Sequence, residues 1–152
     1  MDMEMAKAVI KAAQDVLSTM AGVAAEPGKP YVKKGQVAKG DVTGIIGITG
    51  DMTGSISISF EKACAIAVVR SMLGAELGDI LRDVQDAVGE ITNMVSGQAR
   101  AAIDKQGLNL RSGTPTVVMG DNHTIQHITD APIMAIPFST PDGSFTVEFC
   151  VE

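Results

Sequence analysis

Glu90 and Asn93, in the stretch DAVGEITNMVSGQAR (residues 86 to 100), set a carboxylate beside an amide, with Asp86 one turn earlier. With Glu90 at zero and about 100° per residue, Asp86 falls at about −40°, Asn93 at about −60°, Gly97 at about −20° and Arg100 at about −80°. Glu90 and Asn93 are thus i, i+3 neighbours whose side chains emerge together. An amide donates and accepts hydrogen bonds without titrating near pH 7, and a carboxylate makes charge-assisted contacts with cations.

The same stretch carries Gly89 and Gly97, each costing roughly 1 kcal/mol against Ala inside a helix. Val84, Val88, Ile91, Met94, Val95, Ala99 and Ala102 are expected on the core side, and Thr92 and Ser96 on a border of small residues. Two readings are open. One is a solvated face whose glycines allow close packing against a sheet. The other is a face cleared so that a second surface can come near. Solvated faces usually carry Lys, Glu, Gln and Arg, better helix formers than Asn, Thr, Ser or Gly. The residue choice favours the cleared face.

This helix is expected over residues 83 to 105 and must be held by the rest of the chain. Helical spacing of Ala6, Val9, Ile10, Ala13, Val16, Leu17 and Met20 predicts a first helix over residues 3 to 21, which AGVAAEPGKP ends. YVKKGQVA, DVTGIIGITG and GSISISF read as strands, with GDMTG as a hairpin loop between the last two. In GSISISF, Ile56, Ile58 and Phe60 alternate with Ser55, Ser57 and Ser59, which predicts a strand with one buried face. A second helix follows over residues 61 to 73 and is broken by LGAELGD. After the third helix, TPTVVMG, HTIQHI, IMAIPFS and SFTVEFCVE all read as strands, with a turn at Pro141-Asp142-Gly143. The expectation is an α+β chain of two related halves, with a mostly antiparallel sheet and long helices packed on one face.

A length of 152 residues suits a single domain, 1–152, with a core of its own. With no Trp, one Tyr and four Phe, that core must be mainly aliphatic, and the nine Met act as filler. A net charge of −6 and the lack of a basic patch argue against nucleic acid. Cys64 and Cys150 form no CxxC pair and suit reduced, buried thiols of a cytosolic protein. No apolar run reaches the length of a membrane span, and the N-terminus reads as an amphipathic helix rather than a secretory signal. A cytoplasmic location is expected.

DAVGEITN, followed downstream by Pro115 in SGTPTVV, resembles the signature of the CheC/CheX/FliY phosphatases of bacterial chemotaxis. Their pattern is an Asp or Ser, three residues, Glu, two residues, Asn and a later Pro, and Asp86, Glu90, Asn93 and Pro115 fill the four places. DVLSTMAG, DVTGIIGITGDMTGSISISF, EITNMVSGQA and PTVVMGDNH extend the likeness over nearly the whole chain. CheC-type members tend to carry the motif twice. Here the first helix offers Asp15, with Thr19 and Gly22 where Glu and Asn would stand, so one site per chain favours the CheX type.

The resemblance implies a CheC-like fold and hydrolysis of the aspartyl phosphate of a phosphorylated CheY-type response regulator. Asn93 would orient the attacking water and Glu90 would engage a lysine of the regulator. Asp86, Gly97 and Gly89 would belong to the docking face, and Pro115 would set a strand start. The regulator would bring a Mg2+; this chain would bind no cofactor or metal. A homodimer joined through sheet edges is also implied. Other readings stay open: a docking module that binds a receiver domain without hydrolysis, or a subunit regulating a receptor deamidase.

His123 and His127 have helical metal-ligand spacing but lie in a strand-like or turn segment without a third ligand, which suits surface or strand histidines. GIIGITGDMTG lacks the Lys-Ser/Thr of a phosphate loop. No Cys-His or Ser-His-Asp arrangement can be assembled.

Overall fold

In the computed structural model, which describes residues 2–74, 79–120, 123–127 and 129–152, the apolar positions of the N-terminal segment become the buried stripe of α1 (Asp2–Ala21). Met5, Val9, Ala13, Val16 and Leu17 are fully buried on it. Gly22 ends the helix at φ 63°, its N–H donating to the Ser18 carbonyl at 3.0 Å. The chain continues through β1 (Glu26–Pro27), β2 (Tyr31–Lys33), β3 (Val42–Gly50), β4 (Gly54–Phe60) and α2 (Lys62–Leu73). Then come α3 (Ile80–Asp104), β5 (Leu110–Ser112), β6 (Thr116–Met119), β7 (Ile133–Thr140) and β8 (Gly143–Val151). The expected break between the second and third helices falls largely on residues 75–78, outside the described residues.

All eight strands join one antiparallel sheet in the order β1-β7-β8-β4-β3-β5, with β2 also on β7 and β6 also on β3. This order explains how the two halves combine. Each half runs helix, two short strands, two long strands: α1-β1-β2-β3-β4 and α3-β5-β6-β7-β8. The short strands of each half pair with the first long strand of the other, and β4 pairs with β8 at the centre. The halves are therefore interlocked. α1 and α3 lie antiparallel, as the bond from Gln106 Nε2 to Glu4 Oε2 (3.2 Å) shows.

The helices cover one sheet face, where Ile46, Ile48, Ile56, Ile58, Phe60, Ile136, Phe138, Phe145, Val147 and Phe149 form the core beneath them. The few aromatics concentrate there: Phe138 stacks on Phe145 with centroids 4.7 Å apart, and Phe60 tilts against Phe145. Cys64 and Cys150 are buried free thiols. Among the described residues, no helix is long and apolar enough to cross a membrane.

Two expectations about the opposite face need correction. Ser55, Ser57 and Ser59 are as fully buried as the isoleucines that alternate with them. The reason is that β4 is central in the sheet and residues 123–127 pass across its polar side. That segment is no strand: within it only the bridge from Thr124 to Val37 pairs, and Ile128 lies outside the described residues. Its histidines reach down into the sheet, so they are anchors rather than surface groups.

Candidate functional site

Asp79 starts the helix that bears the carboxylate and the amide. Its carboxylate accepts from the N–H groups of Leu81 (3.2 Å) and Arg82 (3.4 Å), and Asp83 sits in the first turn. This cap places the start three residues before the one expected from apolar spacing. The Asp after a Gly in LGAELGD was the signal for it. Val84, Ala87, Val88, Ile91, Val95, Ala99 and Ile103 then bury one face of the 25-residue helix.

Asp86, Glu90 and Asn93 lie exposed on the other face. Thr92 and Ser96, expected on the border, are fully buried, at about −160° and −120° on the helical wheel and hence on the sheet side. Met94, expected in the core, is 38% exposed. At about +40° it stands on the open flank of Glu90.

The loop after β5 forms the opposite wall. β5 and β6 both pair with β3, β5 along Ile48–Gly50 and β6 along Val42–Ile45, so the chain between them must skip part of the strand. The Gly113 N–H donates to the Gly47 carbonyl (3.1 Å), and Pro115, which has no N–H to pair, stands immediately before β6. The result is an open groove of about 630 Å³ lined by Asp86, Gly89, Glu90, Asn93 and Pro115, with Gln85, Gly113, Thr114 and Val117. All four signature positions thus meet in one place. Gly97 lies one turn beyond Asn93, outside this lining.

The helix glycines have no packing role within the chain. A Cβ on Gly89 would sit 3.5 Å from Val117 Cγ2, an ordinary contact, and one on Gly97 would be 3.8 Å from Arg100 Nη2. The reading in which they permit close packing against the sheet is therefore set aside. Gly44 of β3 takes that role, since α3 lies so near that a Cβ there would overlap Thr92. Arg100 is half-buried, with Nη1 3.5 Å from the Leu110 carbonyl.

A second polar cluster was not visible in the sequence. Glu148 is fully buried and accepts from Lys33 Nζ at 2.7 Å, while its other oxygen lies 3.1 Å from His127 Nε2. His127 Nδ1 is 2.6 Å from Ser55 Oγ, and His123 Nε2 bonds the Thr43 hydroxyl. Ser55, His127 and Glu148 thus form a Ser-His-Glu chain of contacts that the sequence reading did not propose. Ser55 and Glu148 are both at 0% exposure and Glu148 is held by Lys33 as well, so the set ties residues 123–127 to the sheet. Burial pushes the Glu148 carboxyl up, but the hydrogen bonds from His127 and Lys33 and their charges more than reverse this, leaving it below its ordinary value. Lys33, Ser55, His127 and Glu148 come from four separate segments, so no local pattern announces them.

Comparison with known proteins bears on the exposed groove. A family model described as chemotaxis phosphatase CheX matches residues 42–139, which include the whole of α3 and every residue lining the groove. CheY-P phosphatase CheX of Thermotoga maritima is 28% identical over 140 residues, 91% of this chain and 89% of that protein. The crystal structure of chemotaxis protein CheX from Desulfovibrio desulfuricans superposes with a TM-score of 0.93 at 58% identity, covering 98% of this chain and 99% of that one. The crystal structure of a CheX-CheY-BeF3-Mg2+ complex from Borrelia burgdorferi matches at TM-score 0.82 and 27% identity over 96% of both chains.

Proposed function

The chain belongs to the CheX family of chemotaxis phosphatases, and on that premise we propose that it hydrolyses the aspartyl phosphate of a phosphorylated CheY-type response regulator. The observation that carries this reading is the meeting of Asp86, Glu90, Asn93 and Pro115 in one open groove, beside glycines that the fold itself does not require. The complex of a CheX with CheY, BeF3 and Mg2+ supports the choice of partner.

An acyl phosphate is already activated, so a catalyst has to hold a water in line with the leaving oxygen. Asn93 is suited to this. Its amide can accept from the water and donate to a phosphoryl oxygen, and it needs no change of protonation. Glu90, one turn away on the same exposed face, holds the regulator in register through a charge-assisted contact with its lysine. Asp86 and Pro115 shape the groove walls, and Gly89 and Gly97 leave room for the regulator's backbone. The regulator supplies both the phosphorylated aspartate and a Mg2+; this chain contributes no metal of its own. The protein acts in the cytoplasm, as a homodimer joined through strand edges such as β2, where Tyr31 and Val32 are exposed.

The test is the decay of aspartyl phosphate on a CheY-type receiver domain, with and without this protein, beside Asn93→Ala and Glu90→Ala. Faster decay that is lost in Asn93→Ala is the expected result. Binding without faster decay would replace the phosphatase by a docking module.

A further inference from the structure

Among the described residues, every exposed large apolar side chain, with one exception, lies near the N-terminus, at a helix end or along the sheet edges. Met3 is near the N-terminus, Leu73 ends α2, and Ile80 and Leu81 open α3. Tyr31, Val32, Val37 and Val118 lie on or beside the outer strands β2 and β6. Met94 is different. It sits in the middle of α3, is 38% exposed, and belongs neither to the core nor to the half-buried apolar side chains packed against it.

Its neighbours give the reason. Met94 follows Asn93 directly and is four residues after Glu90, which brings its Cβ to about 5–6 Å from that of Glu90. Around the helix axis the order is Asn93 at about −60°, Glu90 at zero and Met94 at about +40°. The groove lies on the Asn93 side, so Glu90 stands between the groove and Met94. A protein surface that covers the groove and extends past Glu90 meets Met94 next. Methionine also suits such a place, being flexible, polarizable and able to fit an irregular apolar surface.

We propose that Met94 is the apolar anchor of the docking face, packing against an aliphatic or aromatic side chain that the receiver domain presents about one helical turn from the lysine held by Glu90. This rests on the phosphatase reading above. It assigns Met94 to recognition: the side chain contributes to affinity for the regulator and touches none of the reacting atoms.

The experiment compares Met94→Gln and Met94→Leu with the wild-type protein. Gln and Leu are about as good in helices as Met, so folding is held constant, and thermal melting verifies it. Three quantities are read: the Kd for a CheY-type receiver loaded with beryllofluoride and Mg2+, and the KM and kcat for its aspartyl phosphate. The expected result is a Kd and a KM roughly five- to twentyfold higher in Met94→Gln, with kcat within about twofold of wild type and Met94→Leu close to wild type. An active wild-type protein with Kd and KM unchanged in Met94→Gln would overturn the anchor and leave the phosphatase reading standing. A marked fall in melting temperature would also overturn it, by showing that Met94 packs in the core. A wild-type protein that neither binds the receivers of its organism nor speeds their decay would remove the phosphatase reading, and the anchor with it.

Discussion

Gly44 of β3 lies directly beneath Thr92 of α3, with no space for a Cβ between strand and helix. Thr92 cannot easily give way, because its hydroxyl donates to the Val88 carbonyl at 2.7 Å and the side chain is fully buried. The contact sets the depth at which the site helix rests on the sheet, one residue before Asn93. Gly44→Ala is expected to cost about 1–3 kcal/mol of stability by overpacking and to lower phosphatase activity more than the unfolded fraction explains. Urea melts and phosphate decay on the same preparation check this. Unchanged stability would mean that α3 can shift without penalty.

Gly97 makes the opposite case. Its Cβ position is open, so Gly97→Ala should stabilise the protein by roughly 1 kcal/mol through helix propensity alone. Gly97→Leu should weaken binding of the activated regulator by more than any loss in stability. Normal binding by Gly97→Leu would end the idea that this face is cleared for an approaching surface.

Stability in acid should depend on Glu148. Its carboxyl titrates below the ordinary value of 4.5 in the folded protein, held there by His127 and Lys33 against the opposing effect of burial. The folded state therefore binds fewer protons than the unfolded chain in that range. The stabilisation is present above the ordinary pKa and is lost as pH falls through the depressed one. Urea midpoints measured from pH 6 to pH 3 should fall, and Glu148→Gln should flatten that part of the curve. The variant should also be less stable at pH 6, because Lys33 keeps a buried charge without its partner. An identical slope in both proteins would assign the acid sensitivity elsewhere.

Asp79 caps α3 from outside the site. Asp79→Ala should lower stability by about 1 kcal/mol through the loss of a partner for the Leu81 and Arg82 N–H groups. Once folding is corrected for, kcat should stay near wild type. A large fall in kcat would mean that the start of α3 is part of the docking face.

Much of the site was legible because it is local. The 3.6-residue period places Asp86, Glu90 and Asn93 on one face of α3 whatever packs against the other side. The hairpin in GDMTG, the helix ended by AGVAAEPGKP and the α+β order were local as well. Periodicity failed at the boundaries of faces, since Met94 and Thr92 lie near the edge of the buried arc. There the neighbouring elements decide which side chain is covered: β3 reaches Thr92, while Met94 stays 38% exposed.

The sequence by itself determined which chemical groups α3 presents and at what spacing, because helix geometry needs only neighbouring residues. The tertiary structure alone decided that Pro115 would close a groove against Asn93, since β5 and β6 must both pair with β3 before that loop can face the helix. It also decided that Lys33, Ser55, His127 and Glu148 would meet beneath residues 123–127, burying serines that alternation alone would leave in water. Burial of a polar strand face depends on whether a distant segment brings hydrogen-bonding partners to it, and a local pattern cannot encode that.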